Sequence, residues 1–125
     1  MTGNVSRIRS ELESLGFSTV VTESPKGKVV SFDYDVDVGS YQGSAVRVGL
    51  SMQGAEAYPE YPPHWVHISP PIDDGRGGVV EQYTDKQGAS WSVLSRPPGP
   101  LWDQLLTKHI SGYISDHLRR FWIDL

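Results

Sequence analysis

At 125 residues the chain has the length of one ordinary domain, with room for a single modest core. Its 11 basic against 15 acidic side chains leave a formal charge of -4, which gives no electrostatic case for nucleic acid or an anionic membrane surface as a partner. With no cysteine it has no disulfide, no thiolate metal ligand and no thiol nucleophile or thioester carrier. The N-terminus lacks a basic-then-apolar signal pattern, and no apolar run approaches the roughly 20 residues of a membrane span, so a soluble, cytoplasmic protein is expected.

Val5, Ile8, Leu12 and Leu15 recur at helical spacing, with Arg7, Arg9, Glu11 and Glu13 on the other face. This predicts a helix over about 4–15, capped by Thr2 or Asn4 and stopped at Gly16. Phe17 to Val21 reads as a short strand, and Glu23 to Lys28 as a turn. From Val30 to Val38 apolar residues alternate with Ser31, Asp33, Asp35 and Asp37, the pattern of a half-buried antiparallel strand. The aspartates have the spacing of a solvated sheet face rather than a metal site, and Arg47 on the next strand is placed to pair with them. Gly39 to Gly43 is a turn, and Val46, Val48, Leu50 and Met52 trace a third strand.

Tyr58-Pro59-Glu60-Tyr61-Pro62-Pro63-His64-Trp65 then forms a stiff corner with few backbone donors, whose Tyr58-Pro59 bond is a candidate for the cis isomer. Trp65 to Ile68 reads as a fourth strand, ended by Pro70-Pro71. Between Ile72 and Pro100 regular periodicity is lost, with a brief extended piece at Val79 to Tyr83 and an isolated Trp91. That predicts a long irregular loop of the kind that carries function. Leu101, Leu105, Leu106, Ile110, Tyr113, Leu118 and Phe121 trace a helical stripe to about residue 121, with Arg119 and Arg120 suited to the helix dipole at its end. No repeat or linker divides the chain, so a single α+β domain over 1–125 is expected.

The order of these motifs resembles ubiquitin-conjugating (E2) enzymes. The Tyr41-Gln42-Gly43 turn, the Val46/Val48/Leu50 strand, Tyr58-Pro59-Glu60-Tyr61-Pro62-Pro63, the strand from Trp65, and Trp91-Ser92 follow the family pattern over roughly residues 4–120. The resemblance implies an E2-like (UBC) fold: N-terminal helix, four-stranded antiparallel meander, long irregular loop and C-terminal helix. It departs at the chemistry. Ser69-Pro70-Pro71-Ile72-Asp73-Asp74 stands where the family has His-Pro-Asn, and no cysteine occupies the slot near Glu81 to Tyr83. What remains is similar to the cysteine-less E2 variants or to a compact bacterial E2-like protein.

A thioester mechanism is excluded. An oxyester through Ser90, Ser92 or Tyr83 would need a base that the nearby sequence does not supply. His64 and His67 differ by three along a strand and so face opposite ways, while His109 and His117 are separated by about 12 Å of helical rise. Asp73 and Asp74 lack the further carboxylates of a calcium loop. No catalytic, metal or cofactor-binding residue is therefore assigned.

Large aromatics favour binding, and Tyr58, Tyr61, Trp65, Tyr83 and Trp91 are the candidate partner-binding residues, although at least half of the set Tyr58, Tyr61, Trp65, Trp91 and Trp102 is expected to fill the core. The expectation is a non-catalytic interaction or adaptor domain in a ubiquitin-like pathway, binding a ubiquitin-like protein, an active E2 or an activating enzyme. Two alternatives are a non-thiol enzyme using His67 or His109 with the 72–91 loop, and a purely structural subunit.

Overall fold

The computed structural model describes residues 3–51, 57–72, 79–95 and 100–124. Helix α1 (Gly3–Ser14) forms where the apolar spacing places it, burying Ile8 and Leu12 completely. Asn4 Oδ1 accepts the Val5 N–H at 2.9 Å. At the other end Phe17 N–H reaches Leu12 O at 3.2 Å and Gly16 N–H reaches Glu13 O at 3.0 Å, a paired stop that requires Gly16 at φ +97°. The helix therefore ends one residue before Leu15, which is 43% exposed instead of continuing the apolar stripe.

Six strands follow: β1 (Thr19–Ser24), β2 (Gly27–Asp35), β3 (Ala45–Ser51), β4 (Trp65–Ser69), β5 (Val79–Thr84) and β6 (Ser90–Ser95). They form one wholly antiparallel sheet in the order β1-β2-β3-β4-β6-β5, curled as a half-barrel. The UBC-type expectation is overturned here. Most of the segment read as an irregular loop is a hairpin that adds two strands to the sheet. Asp85 starts its turn, accepting the N–H groups of Gln87 and Ala89 on Oδ1 at 2.9 Å each, and Gly88 completes it at φ +89°.

The single C-terminal helix is also absent. It is replaced by α2 (Pro100–Gln104), α3 (Ile110–Gly112), a π-helical segment (Tyr113–Leu118) and α4 (Arg119–Ile123). Leu106, expected on the buried stripe, is fully exposed in the break between α2 and α3. Met52 and residues 73–78 and 96–99 lie outside the described residues.

One face of the sheet carries the main core. Register aligns Val30, Leu50, Val66 and Leu94 in one row and Phe32, Val48 and Ile68 in the next, all essentially buried. Ile8, Leu12, Trp102, Ile110, Tyr113, Leu118, Phe121 and Trp122 cover them from the helical side. Each large apolar side chain so buried contributes about 1.5–3 kcal/mol. The 39–43 turn closes on this layer: Tyr41 packs edge-on to Trp122, and a Cβ at Gly39 would sit 2.1 Å from the Trp122 carbonyl oxygen.

The element that ties the layers together is a carboxylate. Glu11, read from the sequence as part of a polar helix face, is only 9% exposed. Its Oε1 accepts the Tyr58 hydroxyl at 2.5 Å and the Ile110 N–H at 2.9 Å, and its Oε2 accepts Arg7 Nε at 3.0 Å. Burial pushes its pKa up, but the donors from Tyr58, Ile110 and Arg7, with His109 nearby, outweigh that and hold it below the usual carboxylate value. Tyr58-Pro59 is cis, as the sequence suggested, and so is Ser69-Pro70, which it did not. Trp102 Nε1 donates to Pro59 O at 2.9 Å, so the corner is held from both sides.

Replacing Glu11 with Ala strands a buried hydroxyl and a buried N–H at once. It should lower the unfolding free energy by about 3 kcal/mol or more, read from urea midpoints, with Tyr58→Phe costing only about 1–2 kcal/mol.

Candidate functional site

Alternate residues of the same strands point to the other, concave face of the half-barrel, and that face is filled as well. Val29, Ser31, Ser51, His67, Trp91 and Val93 are all within 1% of full burial. Gly49 sits opposite His67 in the register and makes room for this layer: a Cβ there would lie 2.6 Å from Val29 Cγ1, 3.2 Å from His67 Cβ and 3.6 Å from the Trp91 ring. Trp91 thus reaches from β6 across β4 to β3.

Three of the five sequence-chosen aromatics meet in this layer. Tyr83 stacks on Trp91 with centroids 6.4 Å apart and planes 8° apart, and its hydroxyl lies 2.8 Å from His67 Nδ1. Trp91 Nε1 donates to Asp85 Oδ2 at 2.9 Å. Trp65 lies beneath Lys26, whose ammonium is 4.6 Å from the ring centroid and 3.9 Å from Glu81. The other two are elsewhere: Tyr58 is buried against Glu11 and Trp102, and Tyr61 stands 58% exposed on the corner.

Burial, and secondarily the Lys26 charge, pushes the His67 pKa down to about 3, so the imidazole is neutral at physiological pH. Burial and the Asp85 charge raise that of Tyr83, which stays a phenol and also hydrogen-bonds to Ser24. His67 Nε2 has no partner among the described residues. A tautomer with Nδ1–H donating to Tyr83 leaves only a bare lone pair there, the less costly arrangement.

The other candidate groups are engaged within the fold. His67 is sealed, His64 Nε2 is 2.6 Å from Ser95 Oγ, and His109 caps α3 by accepting the Ser111 N–H on Nδ1 at 3.0 Å. Ser92, a hydroxyl candidate, is fully buried and braces Ile72, donating to its O at 2.8 Å and accepting its N–H at 3.1 Å.

What the half-barrel leaves open is a seam. Ser24 and Lys26, at the turn after β1, touch Tyr83 and Glu81 on β5, so the two ends of the sheet approach each other without strand pairing. Beside these contacts lies a groove of about 240 Å³, lined by Val21, Thr22 and Glu23 of β1, Lys28, and Lys86 and Gln87 of the β5–β6 turn. Exposed valines mark both edges, Val20 at 41% and Val80 at 49%.

The sequence reading missed this feature, although one signal was present. Three of the chain's four lysines, Lys26, Lys28 and Lys86, fall in or beside the two turns that flank the seam. A larger groove of about 520 Å³ over the C-terminal helices is lined by mixed charges, among them Asp116, Arg119 and Arg120, and Arg119 is already 3.7 Å from Asp37.

No protein-family model, curated protein or solved structure matches the chain. Among the described residues no helix is long and apolar enough to cross a membrane.

The buried imidazole sets a pH dependence. The unfolded chain takes up a proton on His67 below about 6.5, which the folded chain refuses until about 3, so stability falls as pH drops through that window. Between pH 7 and 5, where carboxylates are still mostly ionised in both states, urea melts should show a loss of about 2 kcal/mol. His64, also lowered by burial, adds to it in the same direction. His67→Gln should flatten most of this slope, whatever its effect on absolute stability.

Proposed function

We propose that the chain is a non-catalytic interaction module, an adaptor that holds a partner protein along the open seam of its sheet. The observation that carries this reading is the β1 edge, unpaired among the described residues and facing a groove, with an exposed valine on the strand. An edge strand offers a row of backbone donors and acceptors, and proteins that do not use such an edge usually blunt it. β5 is interrupted by a bulge between Val79 and Glu81, and each edge strand carries one charged residue. β1 pairs with β2 in unbroken register from Thr19 to Ser24 and has a single charged residue, Glu23.

A ubiquitin-like protein, an active conjugating enzyme or an activating enzyme is the first partner to test, in a cytoplasmic setting. That choice rests on the Tyr41-Gln42-Gly43, Tyr58 to Pro63 and Trp91-Ser92 resemblances alone, since the fold that would have supported it is not the one observed. The enzymatic alternative is weaker, because His67 and Ser92 are buried and His67 Nδ1 already faces Tyr83.

Titration of isotopically labelled protein with these partners is expected to shift a contiguous set of resonances that includes Val20 to Glu23 and Lys86. Absence of shifts with every one of them would sink the pathway assignment. Incubation with an activating enzyme, ATP and a ubiquitin-like protein is expected to leave the chain unmodified, and an alkali-sensitive adduct would overturn the non-catalytic reading.

A further inference from the structure

Resting on the interaction-module reading, we infer that the β1 edge takes an extended, acidic peptide segment of its partner as an added strand. The backbone of β1 supplies the pairing and sets the shape of the occupant: only an extended segment matches a strand edge along its length. Side-chain charge sets its chemistry. The chain is acidic overall at -4, yet three of its four lysines gather at this seam.

They are not equivalent. Lys26 is turned inward over Trp65 and toward Glu81, where it closes one end of the seam. Lys28 lines the groove and meets Glu23 at 2.9 Å in a pair with both side chains more than half exposed. Lys86 lines the opposite wall, exposed, with no ion-pair partner among the described residues. An acidic side chain entering between them replaces the weak, solvent-screened Glu23 contact of Lys28 and gives Lys86 its first partner.

At the far end of β1, Thr19 Oγ1 is held by Arg9 Nε at 3.0 Å and donates to Glu13 at 2.7 Å, so the helix marks where the added strand begins. Val20 supplies the apolar contact for the alternate side chains.

The test uses the full chain and three synthetic hexapeptides: alternating glutamate and valine, alternating lysine and valine, and the acidic peptide interrupted by proline. The acidic peptide is expected to bind saturably, shifting resonances of β1 and the β5–β6 turn and slowing hydrogen exchange at β1 amides. The proline-interrupted peptide is expected to fail. Lys28→Glu combined with Lys86→Glu should weaken binding by about fivefold or more, while Lys108→Glu, outside the seam, should not. Both exchanges are at exposed positions, and an unchanged melting temperature confirms that the double variant is folded.

Equal binding of the lysine peptide, or no effect of the double reversal, overturns the acidic assignment. Shifts mapping away from β1, or self-association of the chain through β1 in sedimentation, overturn the docking surface. If a folded partner binds the chain while every peptide fails, this inference falls and the interaction-module reading stands. If neither partner nor peptide binds, both fall.

Discussion

The architecture depends on one buried carboxylate. Glu11 belongs to the first helix, yet its acceptor oxygens take a hydroxyl from 47 residues away and an N–H from 99 residues away. A carboxylate taken from water without partners would cost several kcal/mol and would instead protonate. Here three donors converge on it, and the Tyr58 hydroxyl is pushed by burial and by Glu11 itself far above its ordinary pKa, so it remains a donor. The consequence is geometric. The first helix, the proline corner and the start of the C-terminal helical segment are fixed to the same two oxygen atoms, and these elements form the lid over one face of the sheet.

With that lid in place the two faces of the sheet have different tasks. The helical face is a large apolar core that supplies most of the stability. The concave face is thinner and built from mixed groups: a glycine that makes room, a neutral histidine, a phenol and a tryptophan that bridges three strands. The layer is covered mainly by its own aromatics and by the Lys26 turn. β2, β3, β4 and β6 are therefore buried on both sides along part of their length, and the curl of the sheet brings β1 toward the half-buried β5. Closure stops at side-chain contacts because the bulge in β5 disrupts the regular ladder that strand pairing would need.

This two-sided burial explains which parts of the fold could be read from the sequence. The strands that alternate cleanly, such as Val30/Phe32/Tyr34 against Asp33 and Asp35, could be placed because their outer ends are solvated, and the Arg47–Asp33 pair at 3.2 Å follows from that register. β5 was legible as the brief extended piece at Val79 to Tyr83, but β6 was hidden for the opposite reason. Ser92 is buried on the core side while Trp91 and Val93 are buried on the concave side, so the polar-out, apolar-in rhythm is scrambled. The Asp85 to Gly88 turn was the better clue, since its chemistry is local and does not depend on which faces are covered. Glu11 illustrates a further limit. A charged residue beside buried Ile8 and Leu12 looks solvated in any periodicity argument, because its partners become visible only when distant segments are brought together. Among the aromatics, chemistry nominated five residues equally, and only the fold separates the three that share the concave layer from Tyr58, which is structural, and Tyr61, which is exposed.

The same distinction bears on function. Groups with perturbed protonation mark active sites often enough to draw the eye, but ionic and polar networks that hold a structure perturb pKa values in the same way. In this chain the shifted groups Glu11 and Tyr58, and His67 and Tyr83, are engaged with one another, and Tyr113 lies fully within the helical layer. Among the described residues, the unspent capacity lies at the edge of the sheet instead, in β1 backbone groups without a ladder partner and in Lys86 without an ion pair. Because Glu11 fastens the helices to one face and the aromatic layer fills the other, neither covers that edge. The arrangement that stabilises the domain is therefore also what leaves β1 at the edge of the sheet, without a second strand partner among the described residues.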